Sequence, residues 1–152
     1  MILTPKTEQE IAQALSLFRQ KGVFIHPSAA VRILGHSNTR GIINAVVAYD
    51  SFCGRTCFMH VAAEGRNWIS KKLLHAAFHY PFIVCDFVTI FGGVADDNEE
   101  AMRMNKHLGF RVIKTIRHGW SADVDLHVME MTREECKWIR GKFAQRSGLM
   151  AS

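Results

Sequence analysis

Nowhere in this 152-residue sequence do the roughly 18 consecutive apolar residues of a membrane-spanning helix occur, so no membrane span is predicted. The first ten residues, MILTPKTEQE, lack the basic start and long apolar run of a secretory signal peptide. A cytoplasmic protein is therefore expected. Cysteine is scarce, and without an export signal Cys53, Cys57, Cys85 and Cys136 are expected to remain free thiols. No linker, repeat or low-complexity segment interrupts the chain, so residues 1–152 are expected to form a single domain. A basic stripe is missing too. The net charge is +5, but Lys71, Lys72, Arg133, Lys137, Arg140, Lys142 and Arg146 are dispersed. Dedicated nucleic-acid binding is not expected from that pattern; the C-terminal cluster reads as a solvated helix face, with RNA or an acidic partner as the rival reading.

What is present is a clear run of local signals. Thr7 and Glu10 make a capping box, and Ile11, Ala14, Leu15 and Phe18 follow at helical spacing toward a stop at Gly22. The segments 30–36, 41–50 and 56–63 (TCFMHVAA) read as strands on short connections, predicting an antiparallel meander. Residues 67–80 then read as a helix limited by Pro81, and 85–94 as a strand buried on both faces. That strand–helix–strand order predicts one parallel pair with a right-handed crossover. A helix within 96–110, strands over 110–119 and 124–131, and a last helix complete the chain. The last helix is expected to be capped by Thr132 and Glu135 and to carry Cys136, Trp138, Ile139 and Phe143. The predicted class is α+β, a mixed and mostly antiparallel sheet with a central parallel pair and flanking helices.

Parallel strands place ligands at their carboxyl ends, where the crossover helix offers free N–H groups. The loop there is AAEGRNWIS: Gly65 permits a close turn, and Arg66, Lys71 and Lys72 add positive charge suited to an anion such as a pyrophosphate.

The order of elements, with Val94, Asn98 and Ala101 spaced ahead of Leu108-Gly109-Phe110, resembles the GNAT superfamily of N-acetyltransferases over about residues 7–131. The resemblance implies that acetyl-coenzyme A lies between splayed parallel strands, its pantetheine along 58–63 and its pyrophosphate on the loop from Gly65 through Ser70. Met59, Val61, Gly65, Arg66, Ser70, Lys71 and Asn98 would then bind the cosubstrate. An amine acceptor would attack the thioester directly, with strand N–H groups near Met59 to Val61 polarising the carbonyl. Two departures stand out. Trp68 and Ser70 occupy positions where the family carries glycines, and Asn105 replaces a tyrosine that protonates the leaving thiolate. Tyr49 and Tyr80 are the available substitutes. A thiol with a reference pKa of about 8.5 leaves tolerably without help. The rival function is a binding module on the same fold, acting through a protein or RNA surface; a homodimer and the identity of the acceptor are open.

His60 and Glu64 share one face of the predicted strand and are the candidate bases. Imidazole, with an ordinary pKa of about 6.5, suits that task. The competing readings are a hydrogen-bonded core histidine and a solvated strand end. Cys53, Cys57 and His60 lack the fourth ligand of a closed zinc site, so no metal is expected. His75 and His79 fall opposite Leu73, Leu74, Ala77 and Phe78, predicting a solvated pair. Trp120, between the last two strands, either lines an acceptor pocket or covers the core. Asn98 and Asn105 lie nearly in line on one helix edge, because seven residues are close to two turns. With Asp97 as N-cap and Glu100 completing a box, Asn98 is free for a ligand, and Asn105 would sit beside the thiol.

Overall fold

The first helix starts as its capping box predicts. Thr7 Oγ1 accepts from Glu10 N–H at 3.1 Å, and the Glu10 carboxylate accepts from Thr7 N–H at 3.2 Å. The computed structural model describes residues 1–21, 32–64 and 70–141. Its order is β1 (Ile2–Leu3), α1 (Glu8–Gln20), β2 (Arg32–Ser37), β3 (Ile43–Cys53), β4 (Thr56–Ala63), α2 (Lys71–His79), β5 (Thr89–Ala95), α3 (Glu99–Leu108), β6 (Arg111–Ser121) and β7 (Val124–Thr132). The strands form one sheet ordered β1-β2-β3-β4-β5-β7-β6. Among the described residues, β4 and β5 run parallel and every other neighbouring pair is antiparallel. The expected α+β sheet is therefore present, with a short added strand at one edge.

Helix α1 covers one face, burying Ala14, Leu17 and Phe18 against Val46, Ala48 and Ala62. Helices α2 and α3 cover the other, where Leu74, Ala77, Phe78 and Leu108 pack on Val47, Met59, Val94 and Met129. The predicted stop at Gly22 and the end of the final helix at Phe143 lie outside the described residues.

Pro81 does not end its helix. The chain runs on through a π-helical turn, Tyr80–Val84. Pro81 has no N–H to give to the carbonyl four residues back, which leaves the Ala77 carbonyl orphaned. The buried Tyr49 hydroxyl donates to that oxygen at 2.5 Å, from a strand on the far side of the core. A tyrosine thus supplies what proline withholds.

Three further expectations need correction. Thr132 and Glu135 do bond reciprocally, at 2.7 and 3.3 Å. They open a turn and a short 3-10 segment, Lys137–Ile139, rather than a long helix. Trp138 fixes this strap by donating its indole N–H to the Leu108 carbonyl at 2.8 Å, one of the carbonyls that a helix end leaves over. The strap also covers His75, which is buried with Nδ1 3.0 Å from the Trp138 carbonyl. His75 and His79 are therefore not a solvated pair, because a distant segment covers the side of α2 that its own pattern leaves polar. Finally, α3 begins one residue later than expected. Asn98, not Asp97, is the N-cap: its side chain accepts from Ala101 N–H at 3.1 Å. The Asn98 N–H bonds Ala95 O in a tight turn, which holds Asn98 at the helix entrance and leaves Asp97 outside it.

Candidate active site

The parallel ladder between β4 and β5 lasts three residue pairs, ending at Phe58 opposite Phe91. Beyond that fork the strands part. Glu64 N–H donates to the Asn44 carbonyl on β3, and inward-bonding residues alternate in an antiparallel ladder. Phe58, His60 and Ala62 therefore spend their backbone groups on β3, while Met59, Val61 and Ala63 turn theirs toward β5. On β5 the bond from Asp96 N–H to Asp125 O sets the same alternation, which turns Gly93 and Ala95 toward β4. Past the fork, two rows of peptide donors and acceptors face one another across a cleft with no ladder between them.

Side chains alternate as well. Met59 and Val61 face α2 and α3, whereas His60 shares the α1 face with Ala62. The cleft is accordingly open to both faces. Asn98, Ala101, Met104 and Asn105 line it from α3; Lys21, His60 and Trp120 line it from the α1 face. Gly92 keeps the α3 side clear: a Cβ there would stand 3.7 Å from Asn105 Nδ2 and 3.9 Å from Met59 O.

His60 is neither a core histidine nor free. Its Nε2 lies 2.7 Å from Asp50 Oδ1, with side chains 23% and 16% exposed, enough contact with solvent for proton exchange. Glu64 is exposed and not part of the cleft lining. Asn105 is half-buried, its amide 3.8 Å from the Met129 sulfur, a weak acceptor that leaves most of its hydrogen-bonding capacity for another partner. Asn98 lines the cleft while capping α3, so its side-chain oxygen is already engaged. Ser70 caps α2 through Leu73 N–H at 3.0 Å, and Lys71 is the exposed first residue of that helix. Gly65, Arg66 and Trp68 lie outside the described residues.

Neither tyrosine reaches the cleft. Tyr49 is buried and engaged with Ala77, and burial raises its pKa well above the ordinary value; Tyr80 packs on its ring at 5.0 Å. Cys57 and His60 point to opposite faces of the sheet and cannot share a metal ion. Trp120, 44% exposed, borders the α1-face mouth. Sequence reasoning missed Asp50, Lys21 and Gly92. Asp50 closes the strand pattern of residues 41–50, but its contact with His60 follows from the β3–β4 register, which sets Ala48 opposite His60 and Asp50 opposite Phe58.

No protein-family model and no curated protein sequence matches this chain. Solved structures do. A variant of spermidine N-acetyltransferase SpeG from Vibrio cholerae superposes with a TM-score of 0.72 at 12% identity, covering 97% of this chain and 99% of that one. Spermidine/spermine N-acetyltransferase SpeG from the same organism, in complex with manganese ions, gives 0.68 at 14% identity, over 97% and 96%. A Desulfovibrio desulfuricans protein ascribed to the GNAT family of acetyltransferases gives 0.69 at 10%, over 87% and 98%. The chain has the GNAT fold. At these identities the likeness is one of architecture. No described helix is long and apolar enough to cross a membrane.

Proposed function

We propose that this protein is an acetyl-coenzyme A-dependent N-acetyltransferase, folded as one domain over residues 1–152. The observation that carries the reading is the parted β4–β5 pair, whose facing peptide edges and bare Gly92 fit an extended, amide-bearing pantetheine arm. Met59, Val61 and Gly93 would bond that arm, and Asn105 would stand beside the sulfur from α3. Ser70 and Lys71 at the start of α2, with Gly65 and Arg66, would meet the pyrophosphate. The acceptor would enter from the α1 face, between Trp120 and Lys21, with His60 as general base. Glu64 is the weaker candidate, because it stands outside the cleft. The four free cysteines suit a cytoplasmic location.

In the reaction, the amine lone pair attacks the thioester carbon and the carbonyl oxygen gains charge that strand N–H groups can stabilise. His60 takes the amine proton; the C–S bond breaks with its electron pair on sulfur. General-base help of this kind is worth about 10²–10⁴-fold. One observation favours the rival binding module: with no tyrosine in the cleft, the leaving thiolate has no phenol to protonate it. The test is a calorimetric titration with coenzyme A, then acetyl transfer to spermidine, a lysyl peptide and an alanyl N-terminal peptide. Spermidine belongs in the panel because structurally similar proteins are named for it. Binding with transfer supports the enzyme; binding without transfer to any of the three amines, or no binding at millimolar coenzyme A, overturns that reading, and the absence of binding favours the module.

A further inference from the structure

We infer that Asp50 is a positioning residue for His60 and that the two act as a carboxylate–imidazole dyad; the catalytic part of this inference rests on the acetyltransferase reading above. Three observations converge. The Asp50 carboxylate lies 2.7 Å from His60 Nε2, so a neutral imidazole must carry its proton on Nε2 to make that bond. Nδ1 is then the basic nitrogen, and no described residue engages it. Second, the pair is placed where the chemistry would be. His60 lies two residues past the fork at Phe58 and lines the α1-face mouth. Third, the regular β3–β4 ladder itself brings the two side chains together: Ala48 stands opposite His60 and Asp50 opposite Phe58, so Asp50 and His60 are diagonal neighbours on the α1 face. The register shifts only beyond Asp50, where Ser51 takes a left-handed φ of 53°.

The chemistry follows from the tautomer. As the amine attacks, its proton passes to His60 Nδ1 and the ring becomes an imidazolium. Asp50, hydrogen-bonded to the opposite nitrogen, stabilises that cation and prevents the ring from rotating away. The imidazolium afterwards loses its proton to the thiolate or to water, which returns the dyad to its starting state. A carboxamide at position 50 can instead offer an N–H to the ring, favouring the tautomer with its proton on Nδ1, which is no base toward the amine. In serine proteases, a tautomer error from this same exchange costs about 10⁴-fold in kcat.

The decisive measurement is the tautomer of His60, read from its ring ¹⁵N shifts in the intact wild-type protein above the imidazole titration range. The Nε2–H form is expected, and the Nδ1–H form overturns the inference. Asp50→Asn should then move His60 toward Nδ1–H. It should also lower kcat at least tenfold on whichever amine of the panel the wild type acetylates best, with KM for acetyl-coenzyme A within twofold. Asp50→Glu, which keeps the carboxylate, should recover part of the loss. A change of less than threefold in kcat for Asp50→Asn sinks the dyad while leaving the transferase standing. Absence of coenzyme A binding by the wild type is the separate failure of the transferase reading.

Discussion

Tyr49→Phe removes one oxygen from the core and leaves its shape otherwise intact, yet it should be among the costlier conservative changes. The Ala77 carbonyl, deprived by Pro81 of its helical donor, would lose the hydroxyl that donates to it. Leaving a buried carbonyl unsatisfied costs about 1–3 kcal/mol. For a chain of this length each kcal/mol moves the melting temperature by roughly 2–4 °C. A double-mutant cycle isolates the cause. Pro81→Ala restores an N–H at that position, so in its background Tyr49→Phe should cost at least about 1 kcal/mol less, once the turn can close on Ala77. Urea unfolding followed by tryptophan fluorescence gives all four stabilities. The account of the π-helical turn fails if Tyr49→Phe lies within about 0.5 kcal/mol of wild type, or if the two changes are simply additive.

Asn98→Ala should destabilise by about 0.5–2 kcal/mol as a lost N-cap, whereas Asp97→Ala should be nearly neutral; equilibrium unfolding of both decides which residue opens α3. Gly92→Ala should keep the fold, since every contact of the added methyl is ordinary, but it narrows the cleft beside Met59 O and Asn105. Calorimetry should show coenzyme A binding weakened by roughly 1–3 kcal/mol, the usual cost of an added group in packed space, and an unchanged affinity would place the ligand elsewhere. Burial pushes the Cys57 thiol up to about 12 and the Cys136 thiol to about 11, so at pH 8 iodoacetamide should label exposed Cys53 and spare both, read by peptide mass spectrometry. Because those folded values lie above the unfolded value of about 8.5, the stability they contribute is intact below that pH and is lost as pH rises toward 11–12; Cys57→Ala should therefore flatten part of the alkaline fall in stability.

Most of the sheet was legible because strand alternation and helix caps are local. The residues TCFMHVAA, 56–63, are β4 to the residue, and Thr7 with Glu10 opens α1 as a capping box. Two of the failures, at His75 and Pro81, originate in contacts between distant segments. His75 looks solvated on α2 alone, and only the Lys137–Ile139 strap, some sixty residues later, buries it. Asp97 and Asn98 are equally good N-caps in isolation; the turn through Ala95 O at the end of β5 chooses between them. A proline at position 81 reads as a terminator until Tyr49, on another strand, satisfies the carbonyl it orphans.

The candidate site shows the same division. His60 could be placed on the strand and on its face by parity, but its partner follows only from the β3–β4 register, which sets Asp50 opposite Phe58 and diagonal to His60. Just beyond, the register shifts at Ser51, which carries no sequence mark of a left-handed turn. Glycine or asparagine would be the ordinary occupant of such a φ. Serine there, beside a half-buried carboxylate on a half-buried histidine, breaks that local rule, as Asp86 and His118 do elsewhere in the described residues. Local rules are broken at stability's expense, and the break persists where something else requires the geometry. Ser51→Gly separates the two possibilities. Relief of backbone strain with His60 still on Asp50 should raise stability and leave transfer intact, which would make the bulge a mere correlate of the hairpin. Raised stability with lost transfer and a disordered His60 tautomer would mean that the stiffness of the bulge is what aims Asp50.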